Sequence, residues 1–130
     1  MSPWMHLPIA FAWTLLTKAP VAAAMNRSGR GYDNRNPRIQ QAGLTGWGAR
    51  GLAGHKNAME AFPPLAAGLI AAIVGGVDPT TIHVLAIVWL VARGAYLALY
   101  LADVHWARSL AWGLAVASVF GMMILPALSA

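Results

Sequence analysis

Residues 81–102 read TIHVLAIVWLVARGAYLALYLA, and this stretch decides the fold because Arg93 is its only charged residue. A helix needs roughly 20 consecutive apolar residues to cross the hydrocarbon core of a bilayer. Backbone groups in lipid must be hydrogen-bonded within the protein, so a run of this length forms a helix unless many strands close a barrel. We therefore predict a transmembrane helix here.

Three further apolar runs have the same character, which makes four in all: residues 4–25, 47–74, 81–102 and 106–128. Four runs are too few for a closed barrel of strands. The links after the second and third runs are short, GGVDP (residues 75–79) and residues 103–105, and short links join antiparallel neighbours. We predict an all-α membrane protein in which residues 1–130 form one domain, an antiparallel four-transmembrane-helix bundle.

The charge of the chain is concentrated in one place. Charged residues make up 10% of the sequence, against about 25% in a soluble domain. The net charge of +5 comes mostly from arginines in or beside the polar segment 26–46, in which we predict a helical turn near residues 38–42. Basic residues mark cytoplasmic loops, so we expect this segment inside the cell, both chain ends outside, and no nucleic-acid partner.

Cysteine is absent from the sequence. Disulfides and thiolate metal centres are therefore excluded, and the histidines show no spacing typical of metal ligands. Any thiol chemistry must use a thiol that a ligand brings.

The informative residues are the polar ones inside the apolar runs, because charges in a bilayer are costly and face the bundle interior. At 100° per residue, Asn57 and Glu60 lie within about 80° of Arg50 on the second helix. The third helix carries a stripe of similar width: Arg93, Tyr96, Tyr100 and Asp103. We expect Asn57 and the two tyrosines to line a polar pocket that opens to the cytoplasm.

The second and third helices run antiparallel, so residues at the same depth in the membrane can be matched between them. This matching places an acidic residue opposite a basic one at two depths. Glu60 and Arg93 each lie roughly 15 Å from the cytoplasmic helix ends, at 1.5 Å per residue, and Arg50 meets Asp103 at those ends. We predict a buried Glu60–Arg93 ion pair, although such a pair can serve only to fix helix register. His55 lies roughly 140° from Arg50 and is expected in a helix contact.

Two segments carry a resemblance to a known family. RGLAGHKNAMEAFP (residues 50–63) contains His, Asn and Glu as HxNxxE before a proline. RGAYLALYLADVHWARS (residues 93–109) contains an arginine, tyrosines and an Arg-Ser pair that opens the fourth helix. Both resemble signatures of the MAPEG family, the membrane-associated proteins in eicosanoid and glutathione metabolism. DNRNPR (residues 33–38) ahead of LTGW (residues 44–47) is similar to the bacterial branch, so the resemblance covers nearly the whole chain.

The resemblance implies a homotrimer in the bacterial inner membrane. Family enzymes bind glutathione as co-substrate near the cytoplasmic face, between neighbouring subunits. They conjugate it to lipophilic electrophiles, or use it to reduce peroxides or to isomerise lipid substrates. The implied partners are further copies of the chain, membrane lipids and a lipophilic small molecule.

Carried over by position, the resemblance also implies a set of site residues. Asn57, Glu60, Tyr96 and Tyr100 would line the tripeptide site, and Arg38, or another loop arginine, and Lys56 would hold its carboxylates. Arg50 and Arg93 of the polar stripes are also predicted to bind glutathione. Arg108, with Ser109 beside it, would act at the thiol. Arginine binds carboxylates through paired hydrogen bonds. A nearby guanidinium also lowers the pKa of a thiol and so supplies the thiolate.

Two positions depart from the family pattern and leave alternatives open. Ala53 stands where family enzymes often carry an arginine, and Trp112 stands where many carry a tyrosine. A family member without catalysis, acting as a binding or structural membrane protein, is therefore the alternative. A small multidrug transporter also has four helices but relies on a carboxylate in its first helix, where this chain has Lys18 and no acid.

Overall fold

The structure is a computed structural model that describes residues 1–129. These residues form a 3₁₀ turn at Pro3–Met5 and then α1 His6–Leu16, α2 Ala19–Arg27, α3 Pro37–Ala42, α4 Gly46–Val74, α5 Pro79–Leu101 and α6 His105–Ser129. No strand occurs among them. The all-α prediction is confirmed.

Four helical segments within the described residues are long and apolar enough to cross a membrane: Pro3–Arg27, Gly46–Val74, Pro79–Leu101 and His105–Leu128. They match the four predicted runs to within three residues at each end. Large apolar side chains cover the outside of the bundle, and Leu16, Val91 and Leu110 are each about two-thirds exposed. Such a surface is suited to lipid rather than to water.

The first span is not the continuous helix that the sequence predicts, because it breaks between α1 and α2. Pro20 explains the break: proline lacks the N–H that continues a helix, and its ring clashes with the carbonyl four residues earlier. Thr17, at the break, donates its hydroxyl proton to the Thr14 carbonyl at 2.6 Å. Its oxygen therefore accepts from His55 Nδ1 at 2.8 Å, which ties the break to α4 and confirms His55 as a helix contact.

Short turns join the last three helices, as predicted. Asp78 caps α5 by accepting a hydrogen bond from the Thr81 amide at 3.0 Å. After α5, Asp103 adopts the left-handed conformation with φ 62°. The Val104 amide then donates to the Leu99 carbonyl at 2.9 Å and the Asp103 amide to the Tyr100 carbonyl at 3.2 Å. These are the bonds of a Schellman motif, which ends the helix and sets the direction of α6.

The polar segment between α2 and α4 is held by one side chain, Gln40 of α3. Its Nε2 donates to the Met25 carbonyl at 3.2 Å and to the Gly31 carbonyl at 2.7 Å. Its Oε1 accepts from the Asp33 amide at 2.9 Å. The predicted helical turn near residues 38–42 is confirmed as α3, and Gln40 gives the loop around it a defined path.

The core lies among α4, α5 and α6, with Trp89, Leu65 and Leu69 fully buried. Small residues allow α4 and α5 to approach closely, since a Cβ added at Gly54 would lie 2.7 Å from Leu97 Cδ1. This close contact brings the polar residues of α4 beside the end of α5.

Candidate functional site

The start of α4 meets the end of α5 at the end of the bundle that carries the polar segment, which we call the loop end. Arg50 Nη1 lies 3.6 Å from Asp103 Oδ2, and Arg50 Nε donates to the Leu101 carbonyl at 3.3 Å. The predicted Arg50–Asp103 contact is therefore confirmed. Because the guanidinium satisfies both a helix-end carbonyl and a carboxylate, Arg50 joins the two helices at this end.

The predicted buried Glu60–Arg93 ion pair is wrong. Within residues 1–129, the Arg50–Asp103 pair is the one acid–base contact under 4.0 Å, and Glu60 is exposed. The depths of the two residues match, but Glu60 lies about 80° around α4 from Arg50, which faces α5. Its carboxylate consequently leaves the α4–α5 contact and reaches the surface.

Arg93 instead begins a row in which two tyrosine rings lie between two guanidinium groups, which we call the Arg–Tyr stack. It comprises Arg93, Tyr96, Tyr100 and Arg108. The Arg93 guanidinium lies 4.4 Å from the Tyr96 ring centre, the two tyrosine rings meet edge to face at 5.6 Å, and the Arg108 guanidinium lies 4.3 Å from the Tyr100 ring centre. Residues three and four apart share a helix face, so the spacing along α5 builds the stack and α6 completes it.

Arg108 is half-buried at the first turn of α6, and within the described residues no carboxylate lies within 4.0 Å of it. A guanidinium held against a ring by a cation–π contact keeps its N–H donors free for an anion. Ser109 is exposed, and its hydroxyl donates to the His105 carbonyl at 3.1 Å. The positive charge of Arg108 therefore has no acidic partner in the described part of the chain.

A groove lies between α4, α5 and α6, with a volume of about 460 Å³. Its lining residues are Asn57, Glu60, Ala61, Pro64, Trp89, Arg93, Trp112, Ala115, Val116, Val119, Phe120 and Met123. Two buried polar atoms among them, Asn57 Oδ1 and Arg93 Nε, have no hydrogen-bond partner. Because buried polar groups are normally satisfied, this α4–α5–α6 groove is a candidate ligand site.

Comparison with known proteins settles the family. A sequence model of the MAPEG family matches residues 5–128. This chain belongs to the MAPEG family. No curated protein and no solved structure matches the chain.

In this MAPEG protein, the residues predicted to bind glutathione fall into two groups. Asn57, Glu60 and Arg93 line the α4–α5–α6 groove, whereas Tyr96 and Tyr100 belong to the Arg–Tyr stack and do not line that groove. The single polar pocket expected around Asn57 and the tyrosines is thus not formed among the described residues. The reason is that the tyrosine rings fill the space between Arg93 and Arg108.

The remaining predicted residues of the MAPEG site lie near the surface. Lys56 and Arg38 are exposed, and Arg38 Nη1 makes one long contact of 3.4 Å to Gln41 Oε1. Both side chains are therefore accessible to a ligand. Of the two departures from the family pattern, Trp112 lines the groove and Ala53 is half-buried on α4.

Sequence reasoning missed two features of this MAPEG protein. One is the α4–α5–α6 groove, because its walls are ordinary apolar residues. The other is a hydrogen bond of 2.8 Å between His6 Nε2 and His83 Nδ1, which joins the first span to α5 at the end opposite the loop end. The positions of the two histidines along the sequence could have predicted this contact, because both lie near the same end of the predicted bundle.

Proposed function

We propose that this protein is a membrane glutathione transferase-like enzyme, which adds the thiolate of glutathione to lipophilic electrophiles or uses it to reduce lipid peroxides. Arg108 is the observation that carries the proposal. Its guanidinium is half-buried, held 4.3 Å above the Tyr100 ring, and free of any carboxylate in the described residues. Membership of the MAPEG family, which is associated with glutathione, supports the same chemistry.

Arg108 would act by stabilising the thiolate. A positive charge beside a thiol lowers the thiol pKa, and the thiolate is the nucleophile. The cation–π contact with Tyr100 would hold the guanidinium in place, so that the positive charge is already positioned before the ligand arrives. Ser109 would have to turn its hydroxyl away from the His105 carbonyl before it could donate to sulfur.

The carboxylates of glutathione need cationic partners near the same end of the bundle. Arg38 is exposed on the loop-end segment and Lys56 is exposed on α4, in the half of that helix nearer the loop end, and neither carries an ion pair in the described part of the chain. Arginine and lysine bind carboxylates by charge-assisted hydrogen bonds. We therefore retain them as the proposed carboxylate contacts, with Asn57, Glu60, Tyr96 and Tyr100 as the proposed surroundings of the tripeptide.

A homotrimer is part of the proposal, because α4 exposes charge at membrane depth. Lys56 and Glu60 are exposed and lie roughly 15 and 21 Å along α4 from its start, at 1.5 Å per residue. Charged side chains are costly against hydrocarbon. A neighbouring subunit that covers this face of α4 would remove that cost and would bring a second wall to the glutathione site.

The proposed setting is a bacterial inner membrane, with the loop end in the cytoplasm and both termini in the periplasm. The arginines of the polar segment support this orientation through the positive-inside rule. Glutathione would then reach the Arg–Tyr stack from the cytoplasm, while an apolar co-substrate would enter from the lipid.

The test uses the purified protein in detergent. We expect glutathione to raise its melting temperature, as any ligand selective for the folded state does, and we expect turnover of chlorodinitrobenzene. Arg108→Ala should lower kcat/KM by about a hundredfold or more, the effect of removing one charged donor from such a site. The matched control is Leu110→Ala, an exposed apolar residue of the same helix turn, which should change kcat/KM less than threefold.

The outcomes separate the proposal from its alternative. Stabilisation by glutathione without turnover of any electrophile would identify a non-catalytic MAPEG-type binding protein. The departures from the family pattern at Ala53 and Trp112 would then explain the loss of catalysis. If glutathione does not stabilise the protein and no electrophile is turned over, both assignments are contradicted.

A further inference from the structure

We propose that the loop end binds a phospholipid of net negative charge, with its phosphate in a second cavity of the molecule. This loop-end cavity is lined by Ser28, Arg30, Asp33, Ile39 and Gln40. Arg30 holds the phosphate, and Arg27 and Trp47 beside the cavity anchor the lipid at the bilayer surface. The inference goes beyond the proposed transferase function, because none of these residues is assigned to glutathione or lines the α4–α5–α6 groove.

The basic residues of the chain are distributed very unevenly between the two ends of the bundle. The segments that form the end opposite the loop end, residues 1–10, 68–86 and 116–129, contain no lysine or arginine. The polar segment 26–46 contains four arginines and one acid. Anionic lipids are attracted to such a segment next to a membrane-spanning helix, by roughly fivefold in affinity for each basic residue. The charge of the loop end therefore favours an anionic partner.

Hydrogen bonds give the wall of the loop-end cavity a fixed shape. The Ser28 hydroxyl donates to the Met25 carbonyl at 2.6 Å and accepts from Gln40 Nε2 at 3.0 Å. Gln40 also holds the Gly31 carbonyl, at 2.7 Å. The cavity volume of about 490 Å³ lies within the range of small-molecule sites. Because the segment is tied at these points, Arg30 lies at a defined place, which distinguishes a binding site from a mobile basic tail.

Arg30 has no acidic partner, although a carboxylate lines the same cavity. Within residues 1–129, neither Arg30 nor Asp33 forms an ion pair under 4.0 Å. Asp33 Oδ1 instead accepts hydrogen bonds from the amides of Arg35 at 2.8 Å and Asn36 at 2.9 Å, which builds the turn before α3. The Arg30 guanidinium thus keeps its donors for an anion, and arginine binds phosphate through paired, charge-assisted hydrogen bonds.

Asp33 narrows the choice of headgroup. Its Oδ2 has no hydrogen bond among the described residues, and a carboxylate can accept several. A headgroup that fits both side chains carries one negative phosphodiester for Arg30 and a hydroxyl that donates to Asp33. Phosphatidylglycerol has both groups, so it is the probe of choice.

Apolar side chains beside these arginines indicate a ligand with acyl chains rather than a soluble phosphate. Ile39, in the wall of the loop-end cavity, is 74% exposed. The Arg27 guanidinium, at the end of α2, lies 5.9 Å from the centre of the Trp47 ring, which is exposed at the start of α4. Indole rings favour the bilayer interface, and arginine beside the interface extends its charge to the headgroups. A soluble phosphate would leave both Ile39 and Trp47 without a contact.

The first experiment removes one charge at a time. Arg30→Gln and its matched control Arg35→Gln lose the same charge from the same segment, but Arg35 does not line the cavity. Both side chains are exposed, so neither change should alter the melting temperature without lipid. Native mass spectrometry at physiological ionic strength then measures the binding of dioleoylphosphatidylglycerol to the purified protein in detergent.

Arg30→Gln should weaken this binding by about 10- to 100-fold, the range for a lost hydrogen bond to a charged group. Arg35→Gln should weaken it less than threefold, because salt screens a charge that does not touch the lipid. Equal weakening in the two variants would show that only the net charge of the segment matters, and it would overturn the site.

The second experiment compares ligands. Dioleoylphosphatidylcholine and dioleoylphosphatidylethanolamine, which have the same chains and no net charge, should bind at least about tenfold more weakly. Glycerol 3-phosphate in a large excess should not displace phosphatidylglycerol. Ile39→Ser should weaken phosphatidylglycerol binding about tenfold, since each buried CH₂ contributes roughly fourfold. Displacement by glycerol 3-phosphate would identify a soluble phosphate as the ligand, and equal binding of the three lipids would remove the charge selectivity. Either result would overturn the proposal.

A competition measurement separates this inference from the proposed function. Arg38 is a proposed contact of glutathione and Arg30 is not, so Arg30→Gln should keep the rise in melting temperature that glutathione causes. Glutathione should likewise leave the binding of phosphatidylglycerol unchanged. If glutathione displaces the lipid, or Arg30→Gln abolishes the rise, Arg30 belongs to the glutathione site and the lipid proposal is wrong. If the lipid binds in the expected pattern but glutathione has no effect on the wild type, the transferase proposal fails and the lipid site stands.

Discussion

At the residue scale, Asp103 controls where the proposed thiol activator lies. It is the left-handed residue that ends α5, and the chain direction it sets places Arg108 against Tyr100. Its carboxylate also pairs with Arg50 at 3.6 Å, but its side chain is 73% exposed. Exposed ion pairs contribute about 0–1 kcal/mol, so the backbone conformation is the larger effect.

This reasoning predicts opposite results for two substitutions of Asp103. Asp103→Gly should leave the melting temperature in detergent unchanged or slightly raised, because glycine adopts φ 62° without strain. Asp103→Val should destabilise the protein by about 1–2 kcal/mol, the cost of placing a side chain with a branched Cβ in this conformation. Equal stability of the two variants would show that the turn does not depend on this residue's conformation.

The polar residues show what the sequence could predict at this scale. The spacing of residues 93, 96 and 100 on one helix face predicted their alignment, and depth matching predicted the Arg50–Asp103 contact. The same matching failed for Glu60 because depth along a helix does not fix direction around it. The closure of the stack by Arg108 depends on the turn at Asp103, and no helical periodicity extends across a turn.

At the element scale, the lengths of the apolar runs predicted where the helices begin and end, but they did not predict how the helices pack against one another. The break in the first span had a signal in Pro20, yet the apolar run continues through it. Glycines determine how closely the helices approach. A Cβ at Gly48 would lie 2.9 Å from Ala24 Cβ, which links α4 to α2, whereas a Cβ at Gly113 of α6 would meet nothing within 4 Å in the subunit.

We therefore expect Gly48→Ala to destabilise the protein by about 1–3 kcal/mol, since a methyl group on the opposing helix cannot rotate away and overpacking has this cost. Gly113→Ala is the control, and it should be neutral or stabilising because alanine favours the helix over glycine. Thermal unfolding in detergent compares the two. A Gly48→Ala protein as stable as the control would mean that α2 does not pack on α4 as described.

At the scale of the whole molecule, the surface has a large apolar part, which suits lipid, and a part on α4 where the charged residues Lys56 and Glu60 are exposed. The sequence predicted the membrane bundle from composition and run length alone. It could not predict the α4–α5–α6 groove, because a cavity depends on side chains from three helices that no local pattern relates. The homotrimer and the glutathione site remain predictions.

The most direct test of the central claim, that Arg108 activates a bound glutathione thiol, is the ultraviolet difference spectrum of the thiolate at neutral pH. Glutathione added to the wild-type protein should produce thiolate absorbance, and so should glutathione added to Leu110→Ala. Arg108→Ala, with its oligomeric state unchanged, should produce none, because the charge that lowers the thiol pKa is gone. Undiminished thiolate absorbance in Arg108→Ala would contradict the account.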